Sequence, residues 1–195
     1  MSRIVKPPDV RRQELIEIAL KQFAENGYEK TSIRSILKEA DGEIGMFYHY
    51  FKSKHEIYVA ALEEYNEKYI AKVTEIVNAS SLNFKEKLNL IFLGSSGSVH
   101  EYSLLCTKKA NPEIMTILLA KTLLKMAPLF ELLILDGLKN NIMKAPMQNT
   151  RLLSKFILFG ISAILHDTEV SSMEEKIGLV KKLIEKILDV DVGGI

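Results

Sequence analysis

Apolar residues recur every three or four positions along almost the whole chain, and no long stretch alternates strictly between apolar and polar. That period belongs to the α-helix, so the pattern predicts helices throughout and no sheet. Leu15, Ile16, Ala19, Leu20 and Phe23 form a first stripe, ended by Asn26-Gly27, where glycine is free to leave the helix and Tyr28 to pack back. Thr31-Ser32 supplies cap candidates for a second helix with Ile33, Ile36, Leu37 and Ala40 on one face. Asp41-Gly42 reads as a turn, and Ile44, Phe47, Tyr48 and Phe51 repeat the helical spacing in a third, short helix. Ser53-Lys54-His55-Glu56 has the form of a capping box. Behind it Ile57, Ala61, Tyr65, Tyr69, Val73 and Ile76 keep register along a helix of about 36 Å if it reaches Val77.

Further on, the pattern predicts helices over Phe84–Leu93, stopped by Gly94-Ser95-Ser96-Gly97-Ser98, and over His100–Lys109. A long apolar segment opens at Pro112 and runs to about Lys139, with Pro128 expected to kink or break it. Asn149-Thr150 starts a helix through Leu165, and Ser171-Ser172 with Glu174 and Glu175 starts a last one that fades at Val192-Gly193-Gly194.

Composition narrows the class. Hydrophobic residues make up 47% of the 195 and charged ones 26%, the balance of a folded globular chain. Cys106 is the single cysteine, so no disulfide framework is expected within the chain and a reducing cytoplasm suits it. The basic N-terminus leads into no apolar core, so no secretory signal is expected, and no apolar run approaches the ~20 residues that span a bilayer. A formal charge of +1 gives no global pull toward nucleic acid. Residues 1–55 hold ten basic and eight acidic side chains, with Arg3, Lys6, Arg11 and Arg12 at one end and Lys52 and Lys54 at the other.

Three helices within 51 residues, the last two short and joined by a tight turn, describe a helix-turn-helix, whose final helix enters the major groove. That helix would be Ile44–Tyr50, with Gly45 allowing close backbone approach to base edges and Tyr48 offering a hydroxyl to a phosphate. Other chemistry is thin. His49 and His55, six apart, do not share a helical face, which argues against a metal site. His100, Glu101 and Cys106 suggest a thiol nucleophile only weakly, since a lone cysteine among helices is usually an apolar filler. Ser35-Ile36-Leu37-Lys38 lacks the partner motifs of a serine acylase, and Gly94–Ser98 lacks the ending of a phosphate loop. No enzyme activity, metal or cofactor is expected.

The residues Ala19-Leu-Lys-Gln-Phe23, Asn26-Gly27-Tyr28, Thr31-Ser32-Ile33, Ile36, Ala40, Gly45, Phe47-Tyr48 and Phe51-Lys52-Ser53-Lys54 together resemble the TetR family of bacterial transcriptional regulators. The resemblance covers Arg12 to Leu62, about a quarter of the chain, without a gap. It implies an all-α protein with a helix-turn-helix DNA-binding domain, residues 1–53, and a helical effector-binding and dimerisation domain, residues 54–195. It further implies a cytoplasmic homodimer on a palindromic operator in double-stranded DNA, released by a small-molecule effector, with no membrane partner. By the family pattern Thr31, Ser32, Tyr48, His49 and Lys54 would contact phosphates, and Ile44, Gly45 and Met46 would approach bases. The turn departs from the family's Ala-Gly-Val-Ser, reading Ala40-Asp41-Gly42-Glu43. Asp41 tolerates a left-handed turn, and Gly42 should loosen it. Glu43 either suits the helix N-terminus while placing negative charge near phosphates or accepts a hydrogen bond from a cytosine amino group.

Two sites are expected beyond residue 54. Leu152, Leu153, Phe156, Ile157, Phe159, Ile161 and Ile164 make the 150–165 helix apolar nearly all round, which calls for burial on every side. With Gly160 and Ala163 allowing close approach, and with Ile177, Val180, Ile184 and Ile187 on the last helix, these residues would build a four-helix dimer interface. In that interface Leu153, Phe156, Gly160, Ala163 and Ile164 face the partner. Phe84, Leu88, Phe92, Tyr102, Cys106, Met115, Leu119, Met126 and Phe130 lie on the helices that enclose ligands in the family, a lining suited to an apolar or aromatic effector. The alternative is a helical effector-binding or protein-interaction module whose DNA-reading helix has degenerated.

Overall fold

The computed structural model describes residues 6–91, 112–144, 146, 148–167 and 172–190, and these form helices and connections with no strand. They divide into two compact units, and the division falls inside a helix, between Lys68 and Tyr69. In the first unit α1 (Pro8–Lys30), α2 (Ile33–Glu39), α3 (Ile44–Tyr50) and the first part of α4 (Lys54–Asn78) surround one core. Its centre is Leu15, Ala19, Phe23, Ile36, Phe47, Phe51, Ile57, Tyr58 and Leu62, all at most 1% exposed. The predicted stripes of α1, α2 and the start of α4 are therefore the inward faces, whereas in α3 only Phe47 and Phe51 of the predicted stripe turn in, and Ile44 and Tyr48 are exposed.

Local signals end these helices as the sequence suggests, with one difference. Gly27 takes a positive φ of 76°, but with ψ 164° it makes an extended break, after which helical hydrogen bonding continues to Lys30. Only glycine holds that conformation without strain. The break turns Tyr28 back onto Phe23, ring centroids 5.8 Å apart, and edge-on to Tyr58 at 4.7 Å. Ser32 caps α2 reciprocally with Ser35, each backbone N–H donating to the other's hydroxyl at 3.0 Å. At the start of α4 the Ser53 hydroxyl accepts from Glu56 N–H, while the Glu56 carboxylate accepts from Lys52 N–H at 2.6 Å.

The second unit contains the rest of α4, then α5 (described over 84–91), α6 (Pro112–Lys139), α7 (Thr150–Leu165) and α8 (Met173–Leu188). α7 packs between α6 and α8 around a continuous apolar core. Asn83 caps α5, Asn149 caps α7 and Ser172 caps α8. Of the two outcomes expected at Pro128, a kink or a break, the break does not occur: α6 continues through it to Lys139. The ring removes the N–H that would have met the carbonyl of Leu124, and both residues are exposed, so water can take that acceptor. α8 stops at Leu188, earlier than expected, closed by Asp189 in the left-handed conformation (φ 46°, ψ 49°). The expected helix over His100–Lys109 and the Gly94–Ser98 turn lie outside the described residues. Among the described residues no helix is long and apolar enough to cross a membrane.

Candidate nucleic-acid interface

α3 is seven residues long and owes its position to one side chain pushed inward. Phe47 is fully buried, 5.8 Å from the Phe51 ring and edge-on to Tyr48 at 5.4 Å. Phe51 closes the helix as its first extended residue, its N–H donating to Phe47 O. With that face inward, Ile44, Gly45, Tyr48 and His49 point out, Ile44 at 53% and Tyr48 at 57% exposure. Nothing lies within 4 Å of where a Cβ on Gly45 would stand, so its backbone is open to close approach. His49 and Tyr50 meet edge to face at 4.8 Å.

Two residues expected at this surface turn away from it. Thr31 is 2% exposed, and its hydroxyl sits 3.0 Å from Gln22 O and 2.9 Å from Gly27 O. Its hydroxyl is held inside by these two carbonyls, of which Gly27 O also accepts from Thr31 N–H at 3.3 Å, and cannot reach a phosphate; Ser32 beside it stays exposed. Met46 is half-buried, its sulfur accepting from Arg11 Nε at 3.1 Å and its methyl lying over Gly42. It belongs to the packing between α1 and the turn, not to base contact. This also corrects the expectation for Gly42: its φ is ordinary, and the missing side chain makes a hollow that the Met46 methyl fills. Asp41 holds the left-handed position, φ 49°. A Cβ on Gly42 would collide with Met46 Cε and stand 3.2 Å from Leu37 Cδ2. Gly42→Ala is therefore expected to push the flexible end of Met46 aside, away from Arg11, and cost no more than about 1 kcal/mol. Urea unfolding would read it, and Gly42→Ala combined with Met46→Ala should recover part of the loss.

Arg11 links α1 to α3 through Met46 and is itself held by Glu14 on α1. Its Nη1 lies 2.7 Å from Glu14 Oε2, and Lys6 meets the other Glu14 oxygen at 2.7 Å. Hydrogen bonding from Lys6, then from Arg11, holds the Glu14 carboxyl below its usual pKa against the opposing effect of burial. Arg12 lies with its guanidinium 5.1 Å from the Phe51 ring centroid, at the end of α3. The sequence pattern flagged both arginines only as part of a basic cluster; their contacts depend on how α1 crosses α3.

Lys54 sits where a cation is disfavoured, at the positive end of the α4 dipole. Its ammonium lies 4.2 Å from the Tyr28 ring centroid and donates to Glu29 O at 3.5 Å. Burial pushes its pKa down, with Glu29 opposing. Lys54 thus joins the end of α1 to the start of α4.

The second unit divides its predicted residues between inside and outside. Phe84, Leu88, Met126 and Phe130 are buried in the core, and Leu119 packs against it. Phe92, Tyr102, Cys106 and the side chain of Met115 lie outside the described residues. Asn89 Oδ1 on α5 is buried and has no hydrogen-bond partner among the described residues. Of the predicted dimer residues, Leu153, Val180 and Ile184 are at most 2% exposed within this chain's own core. That is a correction: their stripe is already covered and cannot face another chain. Ile164, Ile177 and Ile187 are half-buried against the same core. Phe156, at 68% exposure, Gly160 and Ala163 do face outward. Leu152 and Phe159 extend that face along α7, and Leu179 and Leu183 are exposed on α8.

Residues 15–61 match the family described as bacterial regulatory proteins, tetR family. Over 102 residues the chain is 32% identical to the HTH-type transcriptional repressor KstR2 of Mycobacterium tuberculosis, a match covering 52% of this chain and 50% of that protein. The chain spans about half the length of the curated relatives it matches. A transcriptional regulator from Cytophaga hutchinsonii superposes with a TM-score of 0.72 over 90% of this chain and 93% of its own, at 15% identity. The regulator FadR of Bacillus subtilis, solved in complex with stearoyl-CoA, superposes with a TM-score of 0.57 over 94% and 98%, at 21% identity. At these identities the likeness of the two structures is one of fold.

Proposed function

We propose that this chain, which belongs to the TetR family of bacterial regulatory proteins, is a transcriptional repressor working as a homodimer in the cytoplasm. Residues 1–53 bind a palindromic operator in duplex DNA, and residues 54–195 take a small effector and pair the two protomers. The observation that carries this reading is the outward set on α3: Ile44, Gly45, Tyr48 and His49 stand open on a short helix that Phe47 anchors to a core. A helix presented in this way after a tight turn fits the major groove. In this reading the exposed Ser32, Tyr48 and His49 contact phosphates, and Lys54 does so on leaving the Tyr28 ring, with Arg12 and Lys52 adding positive charge near the end of the same helix.

The effector reading is supported by the aromatic and methionine content around Phe84, Leu88, Met126 and Phe130. Such surroundings favour a largely apolar molecule. That FadR was solved with stearoyl-CoA makes long-chain acyl compounds the first class to try. For pairing, the exposed face of α7 and α8, running through Leu152, Phe156, Phe159, Gly160, Ala163, Leu179 and Leu183, replaces the buried stripe named above. A two-fold pair would set two copies of α3 about 34 Å apart, one turn of DNA.

Footprinting the purified protein on DNA upstream of its own coding region tests the reading. Protection of a palindrome is expected, with affinity falling by orders of magnitude between about 50 and 200 mM salt as phosphate contacts release counterions. Weak binding that is equal for all sequences would overturn it. Acyl compounds are then expected to release the protected DNA.

A further inference from the structure

Building on that reading of α3, we propose that Ile44 determines sequence specificity by recognising the 5-methyl group of a thymine in each half-site. Reading a purine by paired hydrogen bonds takes Arg or Lys for guanine and Asn or Gln for adenine. None of these residue types occurs in α3, Ile-Gly-Met-Phe-Tyr-His-Tyr. Phe47 is inside, and Met46, the other apolar side chain in the first turn, is held back by Arg11 and the Gly42 hollow. What the first turn presents is Ile44, more than half exposed, beside the bare backbone of Gly45. Tyr48 stands one turn further along the same face.

The major-groove edge of thymine is the one standard base edge that carries a methyl group, so an exposed branched hydrocarbon finds its complement there. Gly45 lets the helix settle close enough for that contact, because no side chain stands between its backbone and the groove floor. At the far end of α3 the exposed Lys52 and the Arg12 guanidinium complement the phosphates that would border the site. Ile44 supplies discrimination, and the charges supply affinity common to all sequences.

The test starts from duplexes selected by the full-length protein out of a random pool, with each thymine then replaced singly by deoxyuridine. Uracil keeps every hydrogen-bonding edge of thymine and lacks only the methyl group. At one position in each half-site the replacement should weaken binding about fourfold, the worth of one buried methyl-sized group. Ile44→Ala should bind the thymine duplex more weakly and be indifferent to uracil at that position, while Ile44→Val should keep the penalty. Because Ile44 is exposed, both variants should match the parent in thermal unfolding. A uracil penalty that persists unchanged in Ile44→Ala, or no sensitive thymine at all, overturns the inference and leaves DNA binding standing. Failure to enrich any duplex overturns the regulator reading together with it.

Discussion

Phe156→Asp is expected to leave the protomer folded, separate the dimer and weaken operator binding by two orders of magnitude or more. Phe156 makes little contact with its own chain, so exchanging it should change protomer stability by no more than about 0.5 kcal/mol. In a pair formed by the outward faces of α7 and α8, the same position is covered by the partner. An aspartate there has to be desolvated without a counter-charge, which costs several kcal/mol. Two linked recognition helices gain roughly 10²–10⁴ in avidity over one, and a monomer forfeits that factor. Sedimentation velocity reads the oligomeric state and a titration on the selected operator reads the affinity. A dimer that survives the substitution would place the pairing surface elsewhere. Val180→Asp does not make the same test, because Val180 is core and its replacement would unfold the protomer itself.

Phe47→Ala is expected to abolish DNA binding by dismantling the first unit. Removing a fully buried phenylalanine generally costs about 3–5 kcal/mol. A unit of some 60 residues has little stability in reserve. Phe47 is also the side chain that holds α3 in place, packed against Phe51 and under Tyr48. Thermal unfolding followed by circular dichroism should show most of the helical signal retained, carried by the second unit, with loss of an early transition. Binding at parental affinity would mean that α3 is held by something other than Phe47.

How far the sequence could be read depended on the kind of contact. Helices were legible because periodicity and caps are local: Ser32, Ser53, Asn149 and Ser172 each act within three or four residues of themselves. Phe47 and Phe51 were legible as core for the same reason. Thr31 was not, because its hydroxyl turns back onto Gln22 O and Gly27 O at the Gly27 break, and that break differs from an ordinary left-handed cap. Met46 was misread because its partner, Arg11, is 35 residues away. The α7 and α8 faces were half legible: a helix apolar nearly all round announces burial on two sides but not which stripe goes to its own core. Leu153 and Phe156 differ by three residues, and only the position of α6 and α8 decides that the first turns in and the second out.

The fit of the Met46 methyl into the space above Gly42 has a practical consequence for anyone wishing to re-target this protein. A recognition segment transplanted from a relative with valine in the turn would arrive without its matching floor. A chimera that swaps only Ile44–Tyr50 should therefore seat crookedly, and the exchange must carry the turn from Asp41 onward, with Arg11 revised to suit whatever replaces the thioether.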